Sequence, residues 1–189
     1  MEESKQWEGD LGFVREAVRR SEVAGSPASI YLFWAVAIVV GFALVDFASK
    51  YVGLYWMIVG PVGGVISAIL GRQHAKRIGQ QNRRIGIRYA MHFGGMMVAI
   101  ILAVLLVLNG SLSPKALSQL FLLIVAFSYF LAGVHLERPL LWIGLLMAAG
   151  YVAVLFIPGY TWTIVGVIVA LGLIAAAIKG GQASVPATN

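Results

Sequence analysis

The chain has 189 residues, of which 60% are apolar and 12% charged, and its mean hydropathy is +0.87. A water-soluble domain has about 45–50% apolar and about 25% charged residues, so the composition excludes a soluble globular protein and favours an integral membrane protein. The net charge is +6, and the lack of cysteine excludes disulfides and thiolate chemistry within this chain.

Residues 1–29 are predicted to form a cytoplasmic N-terminal segment. The segment mixes acidic and basic residues and has no apolar core, so we expect no cleaved signal peptide. Asp10 can cap a short amphipathic helix in which Leu11, Val14 and Val18 share one face. Such a helix is expected to lie along the membrane surface or to dock on a partner protein.

Six apolar stretches follow, each long enough for a helix to cross ~30 Å of hydrocarbon. They lie at about 30–48, 53–71, 89–109, 116–134, 140–157 and 162–178. The sequence therefore predicts an all-α integral membrane protein with one membrane domain over 30–178, whose six transmembrane helices form three hairpins with short outer connections. Residues 179–189 are predicted to be a cytoplasmic tail.

The distribution of lysine and arginine predicts the orientation, because basic residues that flank spans are retained in the cytoplasm. An orientation with both termini inside the cytoplasmic (inner) membrane leaves only Lys50 and Lys115 outside. The remaining bases then lie on the inner side: Lys5, Arg15, Arg19, Arg20, Arg72, Lys76, Arg77, Arg83, Arg84, Arg88, Arg138 and Lys179.

Two pairs of similar segments indicate an internal repeat of hairpins. Gly41–Phe47 in helix 1 and Gly150–Phe156 in helix 5 share a G-aromatic-x-x-V-x-F pattern, and Trp56–Gly60 and Trp162–Gly166 share W-x-I-V-G. In helix 2, the segment Gly60–Gly64 contains a proline, Pro61, and three glycines. This segment predicts close packing against helix 1, or else a kink that lines a cavity.

In size, helix number, hairpin arrangement and glycine placement the chain resembles the HdeD-type acid-resistance membrane proteins. It resembles less closely the substrate-binding subunits of energy-coupling vitamin transporters. The first resemblance implies a stress-related membrane protein, and the second a subunit that binds a transported substrate. Neither carries a motif from which a functional residue can be transferred to this sequence.

Asp46 is the only acidic residue within a predicted span. An ionisable group in a span is a candidate for a ligand, proton or cation site, because a charge there is costly. Lys50 follows one helical turn later and could instead form an i,i+4 ion pair with Asp46 near the membrane surface, which is the favoured interpretation.

The segment 72–88 carries six bases and no acid, which predicts attraction to anionic lipid headgroups. No aromatic residue separates the bases in the way expected of a nucleic-acid surface, so we expect no nucleic-acid partner. Arg84, Arg88 and His92 recur every four residues. If helix 3 begins early, they share one face and form a candidate anion-binding site at its inner end.

All three histidines, His74, His92 and His135, lie on the predicted inner side, and Glu137 follows the last of them. These side chains are a sufficient ligand set for zinc. Their spacing matches no metal motif, so we expect no metal site and read them as separate interfacial residues.

Motifs of membrane metalloproteases, serine hydrolases and phosphate-binding loops are missing, and no cofactor is indicated. We therefore expect a non-enzymatic protein that acts as an accessory or structural subunit of a membrane complex, or as a stress-related membrane protein. Its expected partners are lipids and other membrane subunits or further copies of itself. The alternative is a small transporter, or a substrate-binding transport subunit, with a site at the inner end of helix 3 or at Asp46.

Overall fold

A computed structural model describes residues 26–79 and 83–183, and over these ranges the chain forms helices and no strands. A short 3-10 turn, Ser49–Tyr51, joins the first helix to the second. All six helices are long and apolar enough to span a membrane, which is the pattern of a multi-pass membrane protein. The helices are α1 Ala28–Phe47, α2 Val52–Arg77, α3 Arg83–Leu108, α4 Pro114–His135, α5 Arg138–Phe156 and α6 Thr161–Ala183.

The second and third helices extend well beyond their predicted apolar spans. α2 continues to Arg77 and α3 begins at Arg83, so most of the basic segment 72–88, which lies between the second and third predicted spans, is helical. Arginine, lysine and glutamine are good helix formers, and their long side chains reach water from a helix that emerges from lipid. The break between the helices comes near Gly79, whose φ of 68° lies in the left-handed region.

The predicted amphipathic helix that begins at Asp10 lies outside the described residues. Of the predicted cytoplasmic tail, the part up to Ala183 continues α6, and the remainder also lies outside the described ranges.

Four helices, α1, α4, α5 and α6, enclose the core. The most extensive contacts join α1 to α6 and α4 to α5, and smaller ones join α5 to α6, α3 to α4 and α1 to α2. Each predicted hairpin is thus a pair of neighbouring helices, although the closest packing joins helices of different hairpins. Among the described residues, the largest side chains of this core that are less than 2% exposed are Leu122, Ile143, Met147, Leu173 and Val169.

Glycines bring the core helices close together. A Cβ added to Gly144 of α5 would overlap the backbone of Phe130 in α4, and one added to Gly133 of α4 would overlap the backbone of Leu141 in α5. Gly166 of α6 similarly accommodates Phe42 of α1. In lipid such close approaches supply much of the packing energy between helices.

α2 and α3 lie at the edge of this core, and among the described residues each buries only one, Gly63 in α2 and Ala103 in α3. Gly63 packs under the rings of Phe33 and Trp34 of α1, so the predicted packing on helix 1 is confirmed at Gly63, whereas a Cβ added to Gly60 or Gly64 would meet no atom of α1 within 4 Å. α2 runs unbroken through its internal proline.

Two hydrogen bonds also attach α2 to α1. The indole nitrogen of Trp34 donates to Ser67 Oγ at 3.0 Å, and the hydroxyl of Tyr55 donates to the carbonyl oxygen of Ala37 at 2.8 Å. α2 is therefore held to the core mainly through α1, and the ring of Trp56 adds a contact with Phe121 of α4, with ring centres 5.3 Å apart.

The two ends of the bundle differ in charge. One end of the bundle contains the first residue of α1 and the last residue of α2, and we call it the basic end. Lys50 and Lys115 lie at the opposite end. The described bases of the basic end are Arg72, Lys76, Arg77, Arg83, Arg84, Arg88, Arg138 and Lys179.

Candidate functional site

The first turns of α3 arrange the predicted anion-binding residues on one face. Because α3 begins at Arg83, the side chains of Arg84, Arg88 and His92 follow one another at four-residue intervals on a continuous helix. Arg84 and Arg88 are exposed and His92 is half-buried. The condition attached to this prediction, an early start of the helix, is confirmed.

Two of these residues line an open cleft of about 440 Å³ between the start of α3 and the end of α4. Arg88 and His92 come from α3, whereas His135 comes from the last residue of α4. Met91 and Leu136 supply the apolar part of the lining. The sequence placed all three side chains at one end of the molecule but carried no signal that His135 joins the other two.

A hydrogen bond fixes the ring of His92. Its Nε2 lies 2.8 Å from the carbonyl oxygen of Ser128 in α4. A carbonyl oxygen only accepts, so this contact assigns a proton to Nε2. The Nδ1 atom therefore accepts a hydrogen bond when the ring is neutral and donates one when the ring is protonated.

Next to the cleft, Glu137 ties the chain that enters α1 to the α4–α5 connection. Its carboxylate accepts hydrogen bonds from the backbone N–H of Ser26 at 2.7 Å and from Ser26 Oγ at 2.5 Å. The hydroxyls of Tyr31 and Tyr89 face the same carboxylate. That of Tyr31 is buried and has no hydrogen-bond partner of good geometry within the described part of the chain.

The sequence treated Glu137 only as a possible metal ligand, and its role as an acceptor for Ser26 was missed. One signal was present: between residues 26 and 183 the sequence contains only two acids, Asp46 and Glu137. An acid among so many bases at a helix connection is typical of a residue with a specific partner.

Asp46 has a different partner from the one expected. Its Oδ2 atom accepts hydrogen bonds from the backbone N–H of Thr163 at 2.8 Å and from Thr163 Oγ1 at 2.7 Å. Thr163 lies in the first turn of α6, where N–H groups lack partners within the helix, so Asp46 caps α6 from α1.

The favoured ion pair between Asp46 and Lys50 is not formed, and the prediction was wrong. α1 ends at Phe47, so Lys50 does not continue the helix on which i,i+4 partners face each other. The Lys50 ammonium instead lies 4.8 Å from the centre of the Tyr51 ring.

The histidines do not gather into one set. His74 lies in the last turn of α2 and takes no part in the cleft that contains His92 and His135. Over residues 26–79 and 83–183, no group of three or more His, Asp or Glu side chains could hold a metal ion.

No protein-family model, no curated protein and no solved structure matches this chain. The resemblances stated from the sequence therefore stay predictions.

Proposed function

We propose that this chain is a non-enzymatic multi-pass protein of the cytoplasmic membrane that serves as an accessory or structural subunit, or as a stress-related membrane protein. The observation that supports this proposal is the contrast in burial among the helices. The four core helices pack on one another, whereas α2 and α3 keep apolar faces that the described part of the chain does not cover.

α2 offers the more distinctive of these uncovered faces. Gly53, Gly60, Gly64 and Gly71 follow at intervals of seven, four and seven residues, which places them on one face of the helix. A Cβ added to Gly53, Gly64 or Gly71 would meet no atom within 4 Å, and one added to Gly60 would meet only the methyl of Met97 at 3.9 Å. Small residues let helix backbones approach closely in lipid, so this face suits a helix of another subunit or of a second copy.

Site-specific cross-linking tests the proposal directly. The chain contains no cysteine, so a single cysteine at Gly64 can carry a benzophenone maleimide as the only labelled thiol of this chain. We expect illumination of native membranes to yield a discrete protein adduct from Gly64→Cys. An adduct of twice the chain mass of 20.3 kDa would identify a second copy, and another mass would identify a different subunit.

The matched control is Leu171→Cys on α6, whose side chain is 60% exposed on the outside of the core. This position should give lipid adducts and no discrete protein adduct. Equal protein adducts from both positions would indicate random collisions, and protein adducts from neither would indicate that lipid covers α2. Either result would contradict the proposal.

We propose further that both chain termini face the cytoplasm. The concentration of bases at one end of the bundle supports this orientation, because such residues are retained in the cytoplasm. A cysteine at Ser111 should react with an impermeant thiol reagent added to intact cells, and one at Ile78 should react only after the cells are opened. The reverse pattern would invert the orientation.

A second candidate function is a small transporter or substrate-binding transport subunit. The cleft that contains Arg88, His92 and His135 favours it, since it lies where the sequence predicted an anion site. The alternative site at Asp46 has less support, because Thr163 already accounts for that carboxylate. Saturable uptake of a soluble anion by liposomes that contain the chain, lost in Arg88→Gln, would favour this candidate over the first.

A further inference from the structure

We propose that the cleft between α3 and α4 binds the phosphate group of a membrane lipid, with the lipid's acyl chain lying along α3. This inference goes beyond the proposed role as a subunit and uses a different surface of the molecule. It depends on the residues that line the cleft and on the exposed face of α3 that continues from it.

The polar wall of the cleft is suited to a phosphate oxygen. Arg88 contributes a guanidinium group, whose paired N–H donors match the geometry of a phosphate. His135 approaches from α4, so donors from two helices converge on one space. The bond from His92 Nε2 to the Ser128 carbonyl holds that ring in place and leaves Nδ1 to donate to an anion when protonated.

The nearby carboxylate does not enter this space. Glu137 adjoins Leu136 in the chain, but both of its oxygens accept hydrogen bonds from Ser26, and Glu137 is not part of the cleft lining. The charged side chain in the lining is therefore the cationic Arg88, accompanied by two titratable histidines. An anion there meets no carboxylate from the cleft wall.

The apolar part of the cleft points to a lipid as the source of the phosphate. Met91 lines the cleft and is 72% exposed. Val98, Leu102 and Leu105 follow at intervals of seven, four and three residues, so they continue the face of Met91 along α3. No other described part of the chain covers these four side chains, each of which is at least 50% exposed. A headgroup in the cleft would place an acyl chain on this apolar face, whereas free phosphate would make no use of it.

A comparison of three ligands separates the headgroup from the chain. The purified full-length chain in a neutral detergent is titrated with phosphatidylglycerol, with a diacylglycerol that has the same acyl chains, and with inorganic phosphate. Native mass spectrometry and the shift in melting temperature report binding. We expect phosphatidylglycerol to bind saturably at one site, with a Kd at least tenfold lower than that of either partial ligand.

The variant Arg88→Gln tests the phosphate contact, and Arg83→Gln, which removes an equal charge outside the cleft, is its control. Arg88→Gln should raise the Kd for phosphatidylglycerol about tenfold, equivalent to about 1.4 kcal/mol, and leave diacylglycerol binding unchanged. Arg83→Gln should change the Kd less than twofold. His135→Gln provides a second test from the other helix, with an expected loss of about threefold.

Other outcomes would overturn the proposal in different ways. Equal losses in Arg88→Gln and Arg83→Gln would show diffuse attraction to the basic end in place of a site. Inorganic phosphate that binds as tightly as the lipid, with both lost in Arg88→Gln, would show that the cleft takes a free anion. Neither result bears on the cross-linking of α2, so this inference and the proposed function can fail separately.

Discussion

The core helices and the pair α2 and α3 are alike in composition but different in packing. All six helices contain a strongly apolar stretch, and the most apolar one belongs to α3. Even so, the buried share of this apolar stretch is 28–44% in each of the helices α1, α4, α5 and α6, and only 6% in α2 and in α3. Apolarity takes a helix into lipid, where it gives no further preference for neighbouring helices over lipid tails.

The position of the glycines distinguishes the two groups. In the core helices glycines face a neighbour closely enough that an added Cβ would clash, as at Gly133, Gly144, Gly150, Gly166 and Gly172. Most glycines of α2 and α3 face open space, namely Gly53, Gly64, Gly71, Gly86, Gly94 and Gly95. Close fit, and not hydropathy, therefore determines which helices form the core.

The largest effect should come from filling a glycine contact inside the core. In Gly144→Ala the added Cβ would overlap the backbone of Phe130, which cannot move aside as a flexible side chain can. We expect α4 and α5 to separate, at a cost of about 3 kcal/mol in the free energy of unfolding. Steric-trapping measurements in detergent would give this value.

Gly64→Ala on α2 is the matched control, since its Cβ would meet no atom within 4 Å. It should be neutral or slightly stabilising, because alanine has the higher helix propensity. A similar loss of stability in both variants would mean that α2 packs as tightly as the core, and would contradict the comparison.

A smaller and local effect should follow at the contact between α1 and α2. Gly63 lies under the rings of Phe33 and Trp34, while its neighbour Gly64 is open. Gly63→Leu should displace α2 from α1 at a cost of about 2 kcal/mol, and Gly64→Leu should not. Distances between spin labels on α1 and α2 would increase only in Gly63→Leu. Equal displacement in both variants would show that bulk alone, without position, disturbs α2.

The helices themselves could be predicted because their signals are local. Six runs of apolar residues give the number and approximate limits of the spans, and over residues 26–79 and 83–183 the chain forms a helix at each of these six places. The ends of α2 and α3 could not be predicted, since hydropathy marks where lipid ends and the helix continues into a polar segment. The pairing of α1 with α6 joins opposite ends of the chain, and no sequence periodicity signals it.

The cap on α6 should have an intermediate effect that depends on the substitution. Asp46→Ala removes both hydrogen bonds to Thr163 and leaves an unpaired N–H in the first turn of α6. We expect a loss of about 1 kcal/mol in the free energy of unfolding. Asp46→Asn should retain most of this stability, because an amide oxygen still accepts from the N–H.

Lys50→Gln is the control for this prediction and should leave stability unchanged, because Lys50 does not pair with Asp46. A fully stable Asp46→Asn protein that had nevertheless lost its cellular activity would contradict the purely structural role. Such a result would support the alternative interpretation from the sequence, in which Asp46 binds a proton or a cation.

The candidate site was predictable only in the part that lies on one helix. Arg84, Arg88 and His92 share a face because α3 is regular, and a four-residue spacing is visible in the sequence. His135 reaches the cleft, and Ser26 reaches Glu137, through contacts between segments far apart in the chain. The partners of Asp46 and Glu137 could not be predicted, because tertiary packing brings Thr163 and Ser26 to them.

The smallest effect should come from the hydrogen bond that attaches the first turn of α2 to α1. Tyr55→Phe removes the hydroxyl that donates to the Ala37 carbonyl at 2.8 Å and keeps the ring in place. Hydrogen bonds between membrane helices contribute about 0.6 kcal/mol on average, because the same polar groups also find partners in the unfolded state within the membrane. We expect a change of that size in the free energy of unfolding, with no shift in the distance between α1 and α2. A loss as large as that of Gly63→Leu would mean that α2 is held mainly by polar contacts. Close fit would then explain the packing of the core helices but not the attachment of α2, and the comparison between the two groups would have to include polar contacts.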